Sequence, residues 1–148
     1  MKKGVFYIIL IVFILFSFFL VNYIKNKTNR EKIILENNKY IEENGKTVQI
    51  NSVVTVMNRA IESNIQNDIS KDEKGLFIEN DTNSIKVYLE IESRDAIIPM
   101  EDLLLSEKGG ANKVLKVFPD IFFEYKNIEY HKKTGRIKKI VFKAIEEI

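Results

Sequence analysis

The sequence predicts an α+β protein: a single N-terminal transmembrane helix continuing into a stalk, then a small antiparallel sheet of about four strands packed by a helix. Three observations predict it. From Gly4 to Ile24 the chain runs 21 residues without a charge. Ile50, Val53, Val54, Met57, Ile61 and Ile65 recur at three and four residues, the period of one helical face. Ile85, Val87, Leu89 and Ile91 alternate with Lys86, Tyr88, Glu90 and Glu92, the period of a strand with one buried face. The chain divides on this reading into residues 1–24 (tail and transmembrane helix), 25–44 (stalk) and 45–148 (soluble domain).

The charge-free run is long enough to cross the roughly 30 Å hydrocarbon core of a bilayer as a helix, which satisfies its own backbone there. A secretory signal peptide has a shorter apolar core, about 7 to 15 residues, and small residues at its cleavage site. Here the far end reads Ser17-Phe18-Phe19-Leu20-Val21-Asn22-Tyr23, so an uncleaved anchor is expected. Tyr7 and Tyr23 lie near its two ends, where amphipathic rings favour the headgroup level. Lys2 and Lys3 precede the run, and Lys25, Lys27, Arg30, Lys32 and Lys39 follow it. By count the positive-inside rule leans toward a cytoplasmic carboxyl side, whereas a Met-Lys-Lys start before an apolar segment is usual for an exported domain. The expected location is the cell membrane, single-pass, with the soluble domain extracytoplasmic.

All 21 acidic residues lie after position 24, as do 21 of the 23 basic ones, so the part outside the span is formally neutral. A neutral domain lacks the field that nucleic-acid binding by counterion release requires, so no nucleic-acid partner is expected. One local excess stands out. Lys126, Lys132, Lys133, Arg136, Lys138, Lys139 and Lys143 face one acid, Glu129, in the same stretch. A solvated edge hairpin kept soluble by lysines is the simpler reading; as a binding site it would take an anionic partner, a lipid headgroup or an acidic wall polymer. Other expected partners are the bilayer itself and a protein partner or second copy, met through the transmembrane helix and stalk.

Residues 25–43 contain neither Gly nor Pro and can carry the helix outward, with Ile33, Ile34, Tyr40 and Ile41 as a narrow apolar stripe until Asn44-Gly45 stops it. The amphipathic helix is expected over 47–69, capped by Asn51 or Ser52. Leu76–Glu79 and Ser84–Glu92 are expected to face each other across Asn80–Asn83. Pro99 opens a short helix, Met100–Glu107, Gly109-Gly110 breaks it, and a further helix runs from Ala111 to Phe118 before Pro119. Two last strands, Ile121–His131 and Arg136–Ile145, flank a turn in which Gly135 supplies a positive φ. Alternation is weak in the second, since Ile137 and Val141 fall on one face and Ile140 and Phe142 on the other.

No catalytic constellation emerges, and the chain is expected not to be an enzyme. Cysteine is absent, which removes disulfides, thiol nucleophiles and thiolate metal sites. His131 is the one histidine and is expected at the surface beside Lys132 and Lys133. The run Glu79-Asn80-Asp81-Thr82-Asn83 lacks the spaced Gly and terminal Glu of a calcium loop and reads as an Asx-rich turn. Glu42-Glu43, Asp72-Glu73 and Glu146-Glu147 are adjacent pairs whose side chains diverge, and Gly109-Gly110 lacks the Lys and Ser of a phosphate loop. No cofactor is implied.

Lys2-Lys3-Gly4-Val5-Phe6-Tyr7-Ile8-Ile9-Leu10 resembles the start of type IV pilins and pseudopilins, in which a short basic leader ends in Gly before an apolar residue. Those proteins are also similar in architecture, with a long N-terminal helix, half in the membrane, packed on a small antiparallel sheet. The resemblance implies cleavage after Gly4, a new N-terminus at Val5 and a role as an assembly subunit. Ile9 stands where the family carries Glu. Residues 45–146, including the turn Tyr130-His-Lys-Lys-Thr-Gly-Arg136, resemble small membrane-anchored proteins of Gram-positive bacteria that have no assigned role.

Overall fold

The structure is a computed structural model that describes residues 2–92, 96–105, 110, 116 and 121–145. Among them, three helices, α1 (Lys2–Ile41), α2 (Ile50–Gln66) and α3 (Met100–Leu104), accompany five strands: β1 (Val48–Gln49), β2 (Lys86–Ile91), β3 (Ala96–Pro99), β4 (Phe122–Tyr130) and β5 (Ile137–Ile145). The fold is α+β with one candidate transmembrane helix. The chain falls into two compact units, Met1–Glu36 and Asn37–Ile148.

In the first unit, α1 exposes every large apolar side chain from Tyr7 to Ile24. Two polar side chains within that run, Ser17 and Asn22, bond back to the helix itself. Ser17 Oγ donates to the Phe13 carbonyl at 2.9 Å, and Asn22 Nδ2 to the Phe18 carbonyl at 3.0 Å, the i−4 bond by which short polar groups are satisfied within a helix. One N-terminal helix is thus long and apolar enough to cross a membrane.

In the second unit, the five strands form one sheet in the order β1-β4-β5-β2-β3. The expected antiparallel sheet of about four strands is in fact mixed, because β2 runs parallel to β5, pairing Val87 with Ile140 and Leu89 with Phe142. The expected pairing of Leu76–Glu79 with Ser84–Glu92 does not form. The first run makes only an isolated bridge, Lys71 with Phe77, and β2 pairs instead with β3, Leu89 against Ile98. The segment Asn80–Asn83 is long enough for a hairpin turn. Asn80 Oδ1 prevents it by accepting the backbone N–H groups of Thr82, Asn83 and Ser84 at 2.9 to 3.0 Å, which curls the loop on itself.

The β4–β5 hairpin forms as expected, with Gly135 at φ 72° and its N–H donating to the His131 carbonyl. The weak alternation of β5 has a physical cause. Glu129 faces Lys139 while Tyr130 faces Ile137, so Lys138 is an extra residue and the pleat changes phase there. That bulge brings Ile137 and Ile140 to the same side, both fully buried.

Helix α2 covers one face of the sheet. Val53, Met57, Ala60 and Ile61 pack with Val87, Leu89, Phe123, Ile140 and Phe142 in a single core, each large side chain worth about 1.5–3 kcal/mol of burial. The helix expected over 47–69 is shorter at both ends. Val48 and Gln49 are taken by the sheet, so Gln49 is the N-cap, without a side-chain bond, and neither Asn51 nor Ser52 caps. At the other end Asp68 takes φ 53°, and Ile69 N–H reaches the Asn64 carbonyl, closing the helix at Gln66. Ile65, expected on the buried face, is 58% exposed; Asn64 occupies the interior in its place. Pro99 precedes α3 as its N-cap. The expected helix Met100–Glu107 ends earlier, at Leu104, with Leu105 as its C-cap, and the expected helix Ala111–Phe118 lies, apart from Lys116, outside the described residues.

Candidate functional site

The basic residues singled out in the sequence lie on and around the β4–β5 hairpin, where folding brings carboxylates to them. The register sets Lys143 between Glu124 of β4 and Glu90 of β2, on the face turned away from α2. Lys126 Nζ reaches Glu90 at 2.5 Å, Lys143 reaches Glu92 at 2.7 Å, and Lys139 lies 3.7 Å from Glu129 and over the Tyr88 ring. Around the turn, Lys133 meets Asp81 at 2.9 Å and Lys138 meets Glu79 at 3.0 Å. Hydrogen bonding to Lys133, then its charge, lowers the Asp81 pKa; bonding to Glu79 and Glu92 raises those of Lys138 and Lys143. Arg136 is engaged as well. Lys132 is exposed and makes no ion pair among the described residues.

These pairs are superficial and each is worth little in stability. Their consequence is electrostatic: the cluster that looks positive along the sequence is largely neutralised in space. A hollow of about 290 Å³ beside the turn shows the mixture, lined by Lys132, Lys133 and Lys138 together with Asp81 and Glu129.

His131, expected at the surface, is buried at 2% exposure. Its Nε2 lies 2.8 Å from the Ser84 carbonyl, which can only accept, so the ring carries its proton there. Thr134 Oγ1 donates to the Thr82 carbonyl at 2.7 Å. The hairpin turn is thereby bonded to the loop that precedes β2, and the histidine is a structural tie.

A second polar constellation is invisible along the sequence because its members are far apart in the chain. A cleft of about 370 Å³ lies between the last turn of α1 and the first half of α2, and Tyr40, Glu43, Ser52, Thr55, Arg59 and Tyr125 are among its lining. The Tyr125 hydroxyl donates to the Tyr40 carbonyl at 2.9 Å, the Tyr40 hydroxyl to the Arg59 carbonyl at 3.3 Å, and the Arg59 guanidinium to the Lys39 carbonyl. The carbonyls of Lys39 and Tyr40 lie at the C-terminus of α1 and carry the negative end of its dipole, which suits a cation. Burial, and secondarily the Glu43 carboxylate, pushes the Tyr125 pKa up to about 12. The Tyr125 hydroxyl and the Arg59 guanidinium are thus spent on carbonyls of the last turn of α1. Among the described residues no group of three His, Asp or Glu side chains is placed to hold a metal ion.

Lys86 and Glu101 form a buried ion pair, 3.1 Å apart, with the Phe77 N–H donating to the same Glu101 Oε1 at 3.0 Å. Glu101 Oε2 is buried without a partner among the described residues. The pair ties α3 and the segment around Phe77 to the first residue of β2. No family model matches the chain, and neither a curated protein nor a solved structure is significantly similar to it.

Proposed function

We propose that the chain is a single-pass membrane-anchored protein that presents a small α+β interaction domain outside the cytoplasm. The observation that carries this reading is the run Tyr7–Ile24, whose large apolar side chains are all exposed while Ser17 and Asn22 satisfy themselves on their own helix. Water would not stabilise so large an apolar surface, whereas lipid would. The same helix ends in Tyr40, which belongs to the core of the domain, and Ile41, which packs against that core, so anchor and domain share one element. Expression of the full chain followed by alkaline extraction of membranes tests the anchor: recovery in the soluble fraction removes it.

In its more specific form the reading makes the chain a pilin-like assembly subunit. The Lys2-Lys3-Gly4 motif suggests it, and the packing of the last turn of α1 on the β4–β5 hairpin supports it. Sequencing the mature N-terminus decides, since a chain that begins at Met1 has not been cut after Gly4.

A second reading turns the domain to the cytoplasm as an anchored regulatory or binding module. Lys25, Lys27, Arg30 and Lys32, all exposed just beyond the span, favour it by the positive-inside rule. The chain has no cysteine, so Lys132→Cys on the exposed turn gives a unique label. Labelling of intact cells by an impermeant maleimide excludes the cytoplasmic arrangement; labelling only after lysis excludes the exported one.

A further inference from the structure

We infer that Lys25, Lys27, Arg30 and Lys32 form a collar on α1 that binds anionic phospholipid headgroups, and that the basic hairpin does not. This rests on the membrane-anchored reading and holds for either orientation, because the collar stays at the surface from which the helix emerges.

The collar's charges are available. All four side chains are exposed, and none makes an ion pair among the described residues. Glu31 is the one acid within the stretch. The hairpin differs: Lys126, Lys133, Lys138, Lys139 and Lys143 each hold a carboxylate, which an incoming headgroup would have to displace.

Their placement also suits the headgroup layer. At about 100° per residue Lys25 and Lys32 lie on one side of the helix, and Lys27 and Arg30 lie on the other. Such a ring does not favour laying the helix on the surface; it suits a helix passing through it. At about 1.5 Å of rise, Lys25 to Lys32 spans about 10 Å beyond the apolar run, close to the headgroup layer of about 5–8 Å per leaflet. The long Lys and Arg side chains can reach back across the difference. Tyr23, 68% exposed, sits at the boundary where an aromatic ring favours that layer. Each cation held near an anionic surface adds to the attraction, and salt screens it.

The test places the full-length protein in phosphatidylcholine vesicles and measures, by electron spin resonance, the immobilised fraction of spin-labelled phosphatidylglycerol against spin-labelled phosphatidylcholine. The expected result is a preference of roughly threefold or more for phosphatidylglycerol, abolished by high salt. The variant Lys25→Gln/Lys27→Gln/Arg30→Gln/Lys32→Gln should lose it, and Lys132→Gln/Lys133→Gln should keep it. Insertion with equal association of the two lipids overturns the collar and leaves the anchor standing. Loss of preference in the hairpin variant alone also overturns it. Failure of the wild-type chain to insert into any vesicle overturns both.

Discussion

Asn64 holds Ile85 as a neighbouring strand would: its Nδ2 donates to the Ile85 carbonyl at 2.7 Å, and its Oδ1 accepts the Ile85 N–H at 2.8 Å. The side chain is fully buried in α2, and Ile85 is the residue before β2 begins. A side-chain amide supplies a donor and an acceptor at this spacing. Both backbone groups would otherwise be orphaned inside the core.

Replacing Asn64 by Leu should therefore destabilise the domain by about 2–4 kcal/mol, since two buried polar groups lose their partners together. Asn64→Asp keeps an acceptor for the Ile85 N–H but buries a carboxylate against the Ile85 carbonyl, and should cost at least as much. Denaturant midpoints of the full chain in detergent micelles measure both; a Leu variant as stable as the parent would show that the pair contributes nothing.

Asn37 repeats the device at the start of β5, the parallel neighbour of β2. Its Nδ2 donates to the Gly135 carbonyl at 2.8 Å and its Oδ1 accepts the Ile137 N–H at 2.9 Å, tying the end of α1 to the hairpin. Asn37→Ala should cost about 1–2 kcal/mol and speed exchange of the Ile137 amide. Unchanged exchange at Ile137 would mean that the clamp is not closed in solution.

The buried Lys86–Glu101 pair makes an asymmetric prediction. Lys86→Met leaves Glu101 buried and uncompensated, at a cost of about 3–5 kcal/mol, whereas Lys86→Met/Glu101→Gln should recover much of it, because the Gln oxygen still accepts the Phe77 N–H. A double-mutant cycle reads the coupling. Additive losses would place the two charges in solvent instead.

Tyr125 gives the alkaline limb of stability a defined origin. Folding raises its pKa from 10.0 to about 12, chiefly by burial, so between those values the folded chain holds a proton that the unfolded chain has released. The stabilisation is complete below pH about 10 and is lost as pH rises toward about 12. Tyr88 is raised in the same direction, again by burial first, so the assignment is read from a difference. Tyr125→Phe should lower stability at neutral pH by about 1 kcal/mol, through loss of the bond to the Tyr40 carbonyl. It should also flatten the alkaline decline. An equally steep decline in the variant assigns it elsewhere.

Much of the fold is legible in the sequence because its signals are local. The stop of α1 near Gly45, the β4–β5 turn at Gly135 and the alternation of β2 each depend on a few adjacent residues, and each appears where the sequence places it. The misses share a cause. Ile65 fits the apolar period better than Asn64, and only the presence of Ile85 across the core makes the amide the residue to bury. His131 looks like a surface residue beside two lysines until the Ser84 carbonyl, 47 positions away, comes to meet it.

The sequence by itself determined the apolar run Gly4–Ile24, its continuation as helix and the α+β class, because charge, hydropathy and periodicity act over a few residues at a time. Tertiary structure decided which strands pair and what the hairpin cations face. Glu79, Asp81, Glu90 and Glu92 lie far ahead in the chain of the lysines that they neutralise, 36 positions from Glu90 to Lys126 and 52 from Asp81 to Lys133, and the parallel pairing of β2 with β5 helps to bring them together. Charge acts through space, so a cluster counted along the chain is a site only once the sheet has fixed its neighbours.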